Sequence, residues 1–335
     1  MTFERDVVVI GASAGGVEAL RQTVRSLSAD FPAAVLVVMH LAPGAPTALP
    51  QILSRAGPLR AVPATHAAPL TRGVIHVAPP DHHLLIDDGA LMLSHGPTEN
   101  GHRPAINATF RSAAVAAGPR AIGVILSGAL HDGAAGLSAV VERGGLAMVQ
   151  DPADALYPGM PESALACVRT DHVYPADVLG KVLDRLARTA ASTPPAEPPS
   201  PALLLEDRIA RDGVRRGAVA EELAAQAGYS CPDCQGPLLE IGQQPGRYRC
   251  RIGHAWSAEA LLAARDTELE RALWTALRSL DEKAALARRM QQDAAGRGHG
   301  SLTGRYGSTA RECATAAEKL RRFLLALSQE TEANP

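Results

Sequence analysis

The sequence predicts a doubly wound α/β fold with a mainly parallel sheet and one hairpin excursion, followed by a small zinc-ribbon-like module and a helical hairpin. Three observations predict it. Val7-Val8-Val9-Ile10 and Val35-Leu36-Val37-Val38-Met39 are continuous apolar runs, the signature of strands buried on both faces. Segments of helical periodicity alternate with such runs over the first half of the chain. A proline-rich stretch, residues 190–202, then separates this half from one with cysteine pairs and long leucine stripes.

Each element follows from its local pattern. The first strand ends at the glycines of Gly11-Ala12-Ser13-Ala14-Gly15-Gly16, and apolar residues at 17, 20, 24 and 27 then recur at helical spacing. Residues 33–40 form a second buried strand and 47–54 a helix. Residues 73–79 read as a short strand, and 84–93 as a hairpin closed by Asp88-Gly89. An apolar-striped helix covers 106–117, a buried strand 121–126, a helix 134–144, a strand 146–150 and a closing helix 178–188. The first domain is therefore 1–189.

With 46% apolar residues, the 335-residue chain can bury a large core and more than one domain. Aromatics at 3% leave no stacking platform for single-stranded nucleic acid, and a net charge of −2 leaves no broad basic footprint. The local cluster Arg208, Arg211, Arg215 and Arg216 reads as a solvated helix face. No apolar run reaches membrane-spanning length, and six residues before the first strand leave no room for a leader, so a cytoplasmic protein is expected. Five cysteines in that setting point to metal chemistry or core packing, not disulfides.

The glycine turn admits two functional readings. A dinucleotide cradle requires glycine where Ser13 stands and an acidic residue at the end of the next strand, where His40 stands. The second reading is a nucleophile elbow, since Gly11-Ala12-Ser13-Ala14-Gly15 is a G-x-S-x-G. Reactive groups of such folds gather where strands end. Three strand ends carry Ser13, His40 and Asp132, which are the residue types of an activated serine, its base and the carboxylate that orients the base.

These residues resemble the chemotaxis protein-glutamate methylesterases. The resemblance runs through the serine turn, the Val-Val-Met-His40-Leu-Ala-Pro-Gly segment, Val77-Ala78-Pro79-Pro80-Asp81-His82-His83, and His102-Arg103-Pro104. It continues through Gly123-Val124-Ile125-Leu126-Ser127-Gly128 to Asp132-Gly133, and Tyr157-Pro158-Gly159-Met160-Pro161. It covers about residues 5 to 187 and implies Ser13, His40 and Asp132 as a catalytic triad. Ser13 would attack a glutamate γ-methyl ester, with the backbone N–H groups of Ala14 and Ala129 receiving the oxyanion and Arg103 orienting the substrate. No cofactor is implied for catalysis, glutamine deamidation is implied as a second activity, and the partner is a methylated chemoreceptor or similar helical signalling protein. A rival reading is a non-catalytic scaffold acting through the C-terminal half. His131, next to Asp132, departs from the family pattern and is expected to face solvent. Relatives carry a phosphoacceptor receiver ahead of this domain; the chain starts at the catalytic strand, so constitutive activity is expected unless the segment after the proline-rich stretch reaches back over the strand ends. Clustered His76, His82, His83, His95 and His102 match no ligand spacing.

In the second half, residues 203–256 comprise a helical stretch to about 226 and a ribbon. Cys231-Pro-Asp-Cys234 and Cys250-Arg-Ile-Gly-His254 are two knuckles able to complete a tetrahedral site, predicting structural zinc on Cys231, Cys234, Cys250 and His254, with esterase turnover independent of it. Cys167 and Cys313 read as small core residues. Residues 257–335 form a helical hairpin: one helix from 258 to about 294 with Leu262, Leu269, Leu273, Leu277, Leu280 and Ala284 on a stripe, a glycine-rich break at 296–307, and a second helix from 308. It reads as a helical hairpin or homodimerisation element.

Overall fold

In a computed structural model, residues 3–41, 44, 47–191, 198–212, 225–241 and 246–333 are described. The chain forms two compact units, Met1–Leu261 and Leu262–Pro335.

The first unit opens with β1 (Phe3–Glu4), β2 (Val7–Ala12), α1 (Gly16–Arg25), β3 (Ala34–Met39), α2 (Leu49–Ala56), β4 (Arg60–Pro63) and β5 (Val74–Val77). A hairpin of β6 (His83–Asp87) and β7 (Ala90–Ser94) leads to α3 (Ile106–Ala117), β8 (Ala121–Ile125), α4 (Ala134–Glu142) and β9 (Leu146–Gln150). Next come α5 (Gly159–Cys167), β10 (Val173–Tyr174), α6 (Ala176–Ala187) and β11 (Ala190–Ala191), which pairs with β1.

Seven strands form one parallel sheet in the order β10-β9-β8-β2-β3-β5-β4. Side chains alternate across it. Val8, Ile10, Val35 and Val37 pack with Leu20, Val24, Leu53 and Leu183, beneath α1, α2 and α6. Val7, Val9, Leu36 and Val38 pack with Ile106, Phe110, Leu137 and Met160, beneath α3, α4 and α5. Burial on both faces explains the unbroken apolar runs. The hairpin turns through Asp88 and Gly89, both at positive φ (45° and 76°), the geometry that favours Asp-Gly.

Short β4 and β10, and α5 after the Tyr157 motif, were not separately expected; they lie at sheet edges or carry weak periodicity. Past residue 191 the contacts continue the first unit. Helix α7 (Pro201–Asp212) lies against the hairpin and α3: Ser94 Oγ donates to the Ala210 carbonyl at 2.6 Å, and Ala210 joins Leu85, Ala105 and Ala108 in one buried cluster. Arg211, expected on a solvated face, is half-buried and pairs with Asp207 at 2.6 Å and Asp87 at 2.8 Å. Arg215 and Arg216 lie outside the described residues. A four-stranded antiparallel ribbon follows, β12 (Ala225–Ser230), β13 (Pro237–Glu240), β14 (Arg247–Cys250) and β15 (Ala255–Ser257). The helical stretch expected to reach 226 thus gives way to strand by Ala225, the intervening 213–224 lying outside the described residues.

A buried ionic cluster ties ribbon, α7 and α3 together. Glu99 and Arg249 are each 2% exposed and Arg111 is 3% exposed. Arg111 hydrogen-bonds Glu99 and meets Glu206 of α7 at 3.3 Å, while Arg247 reaches Glu206 at 2.7 Å and Arg249 lies 3.7 Å from both acids. Burial would raise the Glu206 carboxyl, but Arg111, Arg247 and Arg249 outweigh it and bring the pKa down to about 2.

The second unit, from Leu262 on, is a hairpin of the remainder of α8 (Ala258–Gly296) and α9 (Gly300–Ala333), cored by Leu277, Ala317 and Leu324 with Leu273, Leu280 and Leu320. The expected glycine break is narrower: Gly298 at φ 72° makes the turn, whereas Gly304 and Gly307 lie inside α9, Gly307 close to Gln291. Of the expected stripe, Leu262 and Leu269 are exposed. Cys313 is buried as expected; Cys167 is exposed, a correction, because it closes α5 at the surface.

Candidate active site

The central strands β8, β2 and β3 are neighbours, so the loops leaving their carboxyl ends meet. The Ser13 turn is fixed from both sides: Ser13 N donates to the Ser127 carbonyl at 3.0 Å, and Gly16 N donates to the Ser13 carbonyl at 2.9 Å. Gly15 at φ 71° reverses the chain into α1, a conformation that disfavours a side chain. A Cβ on Gly128 would collide with Met160 and crowd Ser13, so the loop after β8 passes close to the serine.

Three expected site residues come together. His40 Nδ1 lies 3.0 Å from Ser13 Oγ, and its Nε2 lies 2.8 Å from Asp132 Oδ2. Because the carboxylate only accepts, Nε2 carries the hydrogen and Nδ1 presents its lone pair to the serine hydroxyl. The His40 side chain is 8% exposed and that of Asp132 2%.

Asp132 sits at the amino end of α3. It accepts from Ile106 N at 2.7 Å and Asn107 N at 3.2 Å, besides Gly133 N at 3.0 Å. Burial would raise its pKa, but the His40 hydrogen bond, the His40 and His102 rings and the Ile106 amide together lower it. The helix terminus thereby supplies positive potential to a carboxylate that solvent does not reach.

Ala14 follows Ser13 in the turn and Ala129 follows Gly128 in the loop after β8, and neither backbone N–H donates to a described residue. Arg103 is engaged elsewhere: Nη2 and Nε bond Asp81 at 2.7 and 2.9 Å, and Nη1 reaches the Gly96 carbonyl at 2.9 Å. His131, expected to face solvent, is half-buried with Nδ1 2.7 Å from Ser163 Oγ.

Sequence reasoning missed His102 as part of the site. Its ring stacks on His40 with centroids 3.7 Å apart and planes 8° apart. Burial, reinforced by His40, pulls its pKa down to about 4 against the opposing pull of Asp132 and Asp233. The signal available was its place in His102-Arg103-Pro104 just before α3.

At a second location, Cys231, Cys234, Cys250 and His254 converge, with all ligand atoms within 4.8 Å of one another. Cys234 and Cys250 sulfurs are 3.6 Å apart, and His254 Nδ1 is 3.5 Å from Cys250 Sγ and 3.7 Å from Cys231 Sγ. Tetrahedral coordination with metal–sulfur bonds near ~2.3 Å and metal–nitrogen bonds near ~2.0 Å gives edges of this length. The donor set therefore fits a metal ion.

A serine, histidine and aspartate hydrogen-bonded in series across the carboxyl edge of a parallel sheet is the arrangement of serine-type acyl-transfer proteins. Residues 8–183 match the family described as CheB methylesterase, and the chain belongs to that family. It is 38% identical over 183 residues to protein-glutamate methylesterase/protein-glutamine glutaminase 2 of Anaeromyxobacter dehalogenans, covering 55% of this chain and 54% of that one. It is 37% identical over 178 residues to protein-glutamate methylesterase FrzG of Myxococcus xanthus, covering 53% of each. The chain spans about half the length of the curated relatives it matches. The crystal structure of the Thermotoga maritima CheB methylesterase catalytic domain superposes with a TM-score of 0.52 at 31% identity, covering 54% of this chain and 98% of that one.

Proposed function

We propose that this chain hydrolyses glutamate γ-methyl esters of a methylated chemoreceptor or similar helical signalling protein, and deamidates glutamine at equivalent positions. The observation that carries this is the Ser13–His40–Asp132 series of hydrogen bonds in a chain of this family. Ser13 Oγ attacks the ester carbonyl while His40 Nδ1 takes its proton. The Ala14 and Ala129 N–H groups receive the oxyanion. Asp132 holds the His40 tautomer and stabilises the imidazolium. His40 returns the proton to the leaving methanol, and water, activated by the same nitrogen, hydrolyses the acyl-serine. Arg103, through its bonds to Asp81 and Gly96, shapes the substrate rim instead of reaching the ester itself.

Cys231, Cys234, Cys250 and His254 hold one structural zinc, and the helical hairpin is a homodimerisation element. Among the described residues no helix is long and apolar enough to cross a membrane; the proposed place of action is the cytoplasm, on the receptor's cytoplasmic helices. The test is methanol release from receptor membranes labelled at the methyl group. Release that depends on Ser13 supports the assignment; none from active-site-intact, folded protein overturns it.

A further inference from the structure

Residues 97–102 connect two places that the sequence gives no reason to link. At one end His102 lies flat on His40. Along its length the segment is bound by the ribbon: Asn100 N donates to the Ala255 carbonyl at 2.7 Å, Ala255 N donates to the Thr98 carbonyl at 3.1 Å, and Ser257 N donates to Asn100 Oδ1 at 2.9 Å. Thr98 Oγ1 donates to Asp233 Oδ2 at 2.7 Å. These anchors adjoin the metal-ligand set: Asp233 lies between Cys231 and Cys234, and Ala255 follows His254.

The segment itself transmits position. Asn100 and Gly101 have φ of 52° and 75°, a two-residue turn of the kind Asn-Gly favours. Glu99 and His102 face each other across it with reciprocal backbone bonds of 3.1 and 2.9 Å. Glu99 is locked among Arg111 and Arg249, so one side of the turn is held by the ribbon and the other by the His40 ring.

We propose that the metal-held ribbon is a positioning element for the active site, keeping His102 stacked on His40 and thereby the His40 ring aligned between Ser13 and Asp132. His40's two hydrogen bonds restrain its ring within its plane; the stack restrains it against tilting out of that plane. His102 acts through His40 and is a positioning residue. Its low pKa keeps it uncharged at neutral pH, so it adds no repulsion when His40 takes a proton. Removal of the metal loosens the knuckles that carry both anchors, since a ribbon this small depends on its ligands for order. Turnover is then not independent of the metal, contrary to the expectation from sequence. Only the rate readout rests on the esterase function proposed above.

The test uses the full zinc-loaded chain before and after chelation, reading kcat and KM on methylated receptor membranes, amide exchange of residues 97–102, and the His40 and His102 ring resonances. Chelation is expected to lower kcat roughly 10-fold or more with little change in KM, as a small misalignment of a base does. Asn100 loses exchange protection, the stacked-ring shifts disappear, and zinc restores all of these. Thr98→Val, which leaves all four ligands in place, is expected to lower kcat by a smaller factor while retaining zinc. His102→Phe, which can keep the stack, retains more activity than His102→Ala. A chelated chain that keeps its kcat, or one that loses kcat with both ring shifts unchanged, overturns the proposal. If the loaded chain releases no methanol, the esterase assignment fails, and the ring shifts and exchange alone decide whether ribbon and His40 are coupled.

Discussion

Asp132 Oδ2 meets His40 Nε2 at 2.8 Å and the Ile106 backbone N–H at 2.7 Å, so one oxygen orients the imidazole and caps α3. Orientation of His40 is thus built on the amino terminus of a helix that is itself buried against the sheet. Asp132→Asn puts an amide that both donates and accepts where only acceptance fits. It is expected to lower kcat by about 10⁴-fold through the wrong tautomer and to cost about 1–3 kcal/mol of stability through an ill-matched buried group. Methanol release and urea unfolding check the two effects separately.

Ser13→Ala and His40→Ala are each expected to lower kcat by about 10⁴ to 10⁶, with the double variant no worse than either, because a triad acts as a unit. Both should retain the fold. Near-native turnover in either one would sink the triad assignment.

Acid sensitivity follows from His102. Its folded pKa near 4 lies below the unfolded value of 6.5, so the folded state binds fewer protons between these limits. The stability it contributes is fully present above pH 6.5 and is lost as pH falls toward 4, by at most about 3.5 kcal/mol at 1.4 kcal/mol per unit. His102→Phe should flatten that part of the stability–pH curve, measured by denaturant midpoints from pH 7 to pH 4. An unchanged slope would place the sensitive group elsewhere.

Glu99→Ala leaves Arg111 and Arg249 buried with less compensation and is expected to cost about 3–5 kcal/mol. Amide exchange should show the loss concentrated in 97–102, α3 and the ribbon. A variant as stable as the parent would mean that water solvates those guanidinium groups.

One zinc per chain is expected on elemental analysis. Cys231→Ser or Cys250→Ser should abolish it, while Cys167→Ser and Cys313→Ser should not. Zinc that persists in the first pair would exclude the proposed ligand set.

Much of the α/β half was legible because its information is local. Runs such as Val35 to Met39, short and rich in β-branched residues, read as doubly buried strands, and Ser13, His40 and Asp132 stand out as polar residues at their ends. The cluster of Cys231, Cys234, Cys250 and His254 was legible for the same reason, since knuckle spacing is a short-range property. The docking of α7 and the ribbon was not. Glu99, Arg111, Glu206 and Arg249 look like ordinary surface charges until folding brings them into one buried cluster, and the periodicity of α7 does not say what covers it. His102 escaped for a related reason: a stack between residues 40 and 102 has no sequence signature.

The buried cluster also bears on inheritance. A recombination joint in the proline-rich stretch looks harmless on paper, because the residues on either side read as separate modules. Exchange there would deliver an α/β half whose Arg111 and Glu99 had lost Glu206 and Arg249, together with an uncovered apolar patch at Leu85, Ala105 and Ala108. Descendants of such a crossover would be selected against unless both sides of the cluster travelled together. Residues 201–257 should accordingly track the α/β half through lineages as one evolutionary unit.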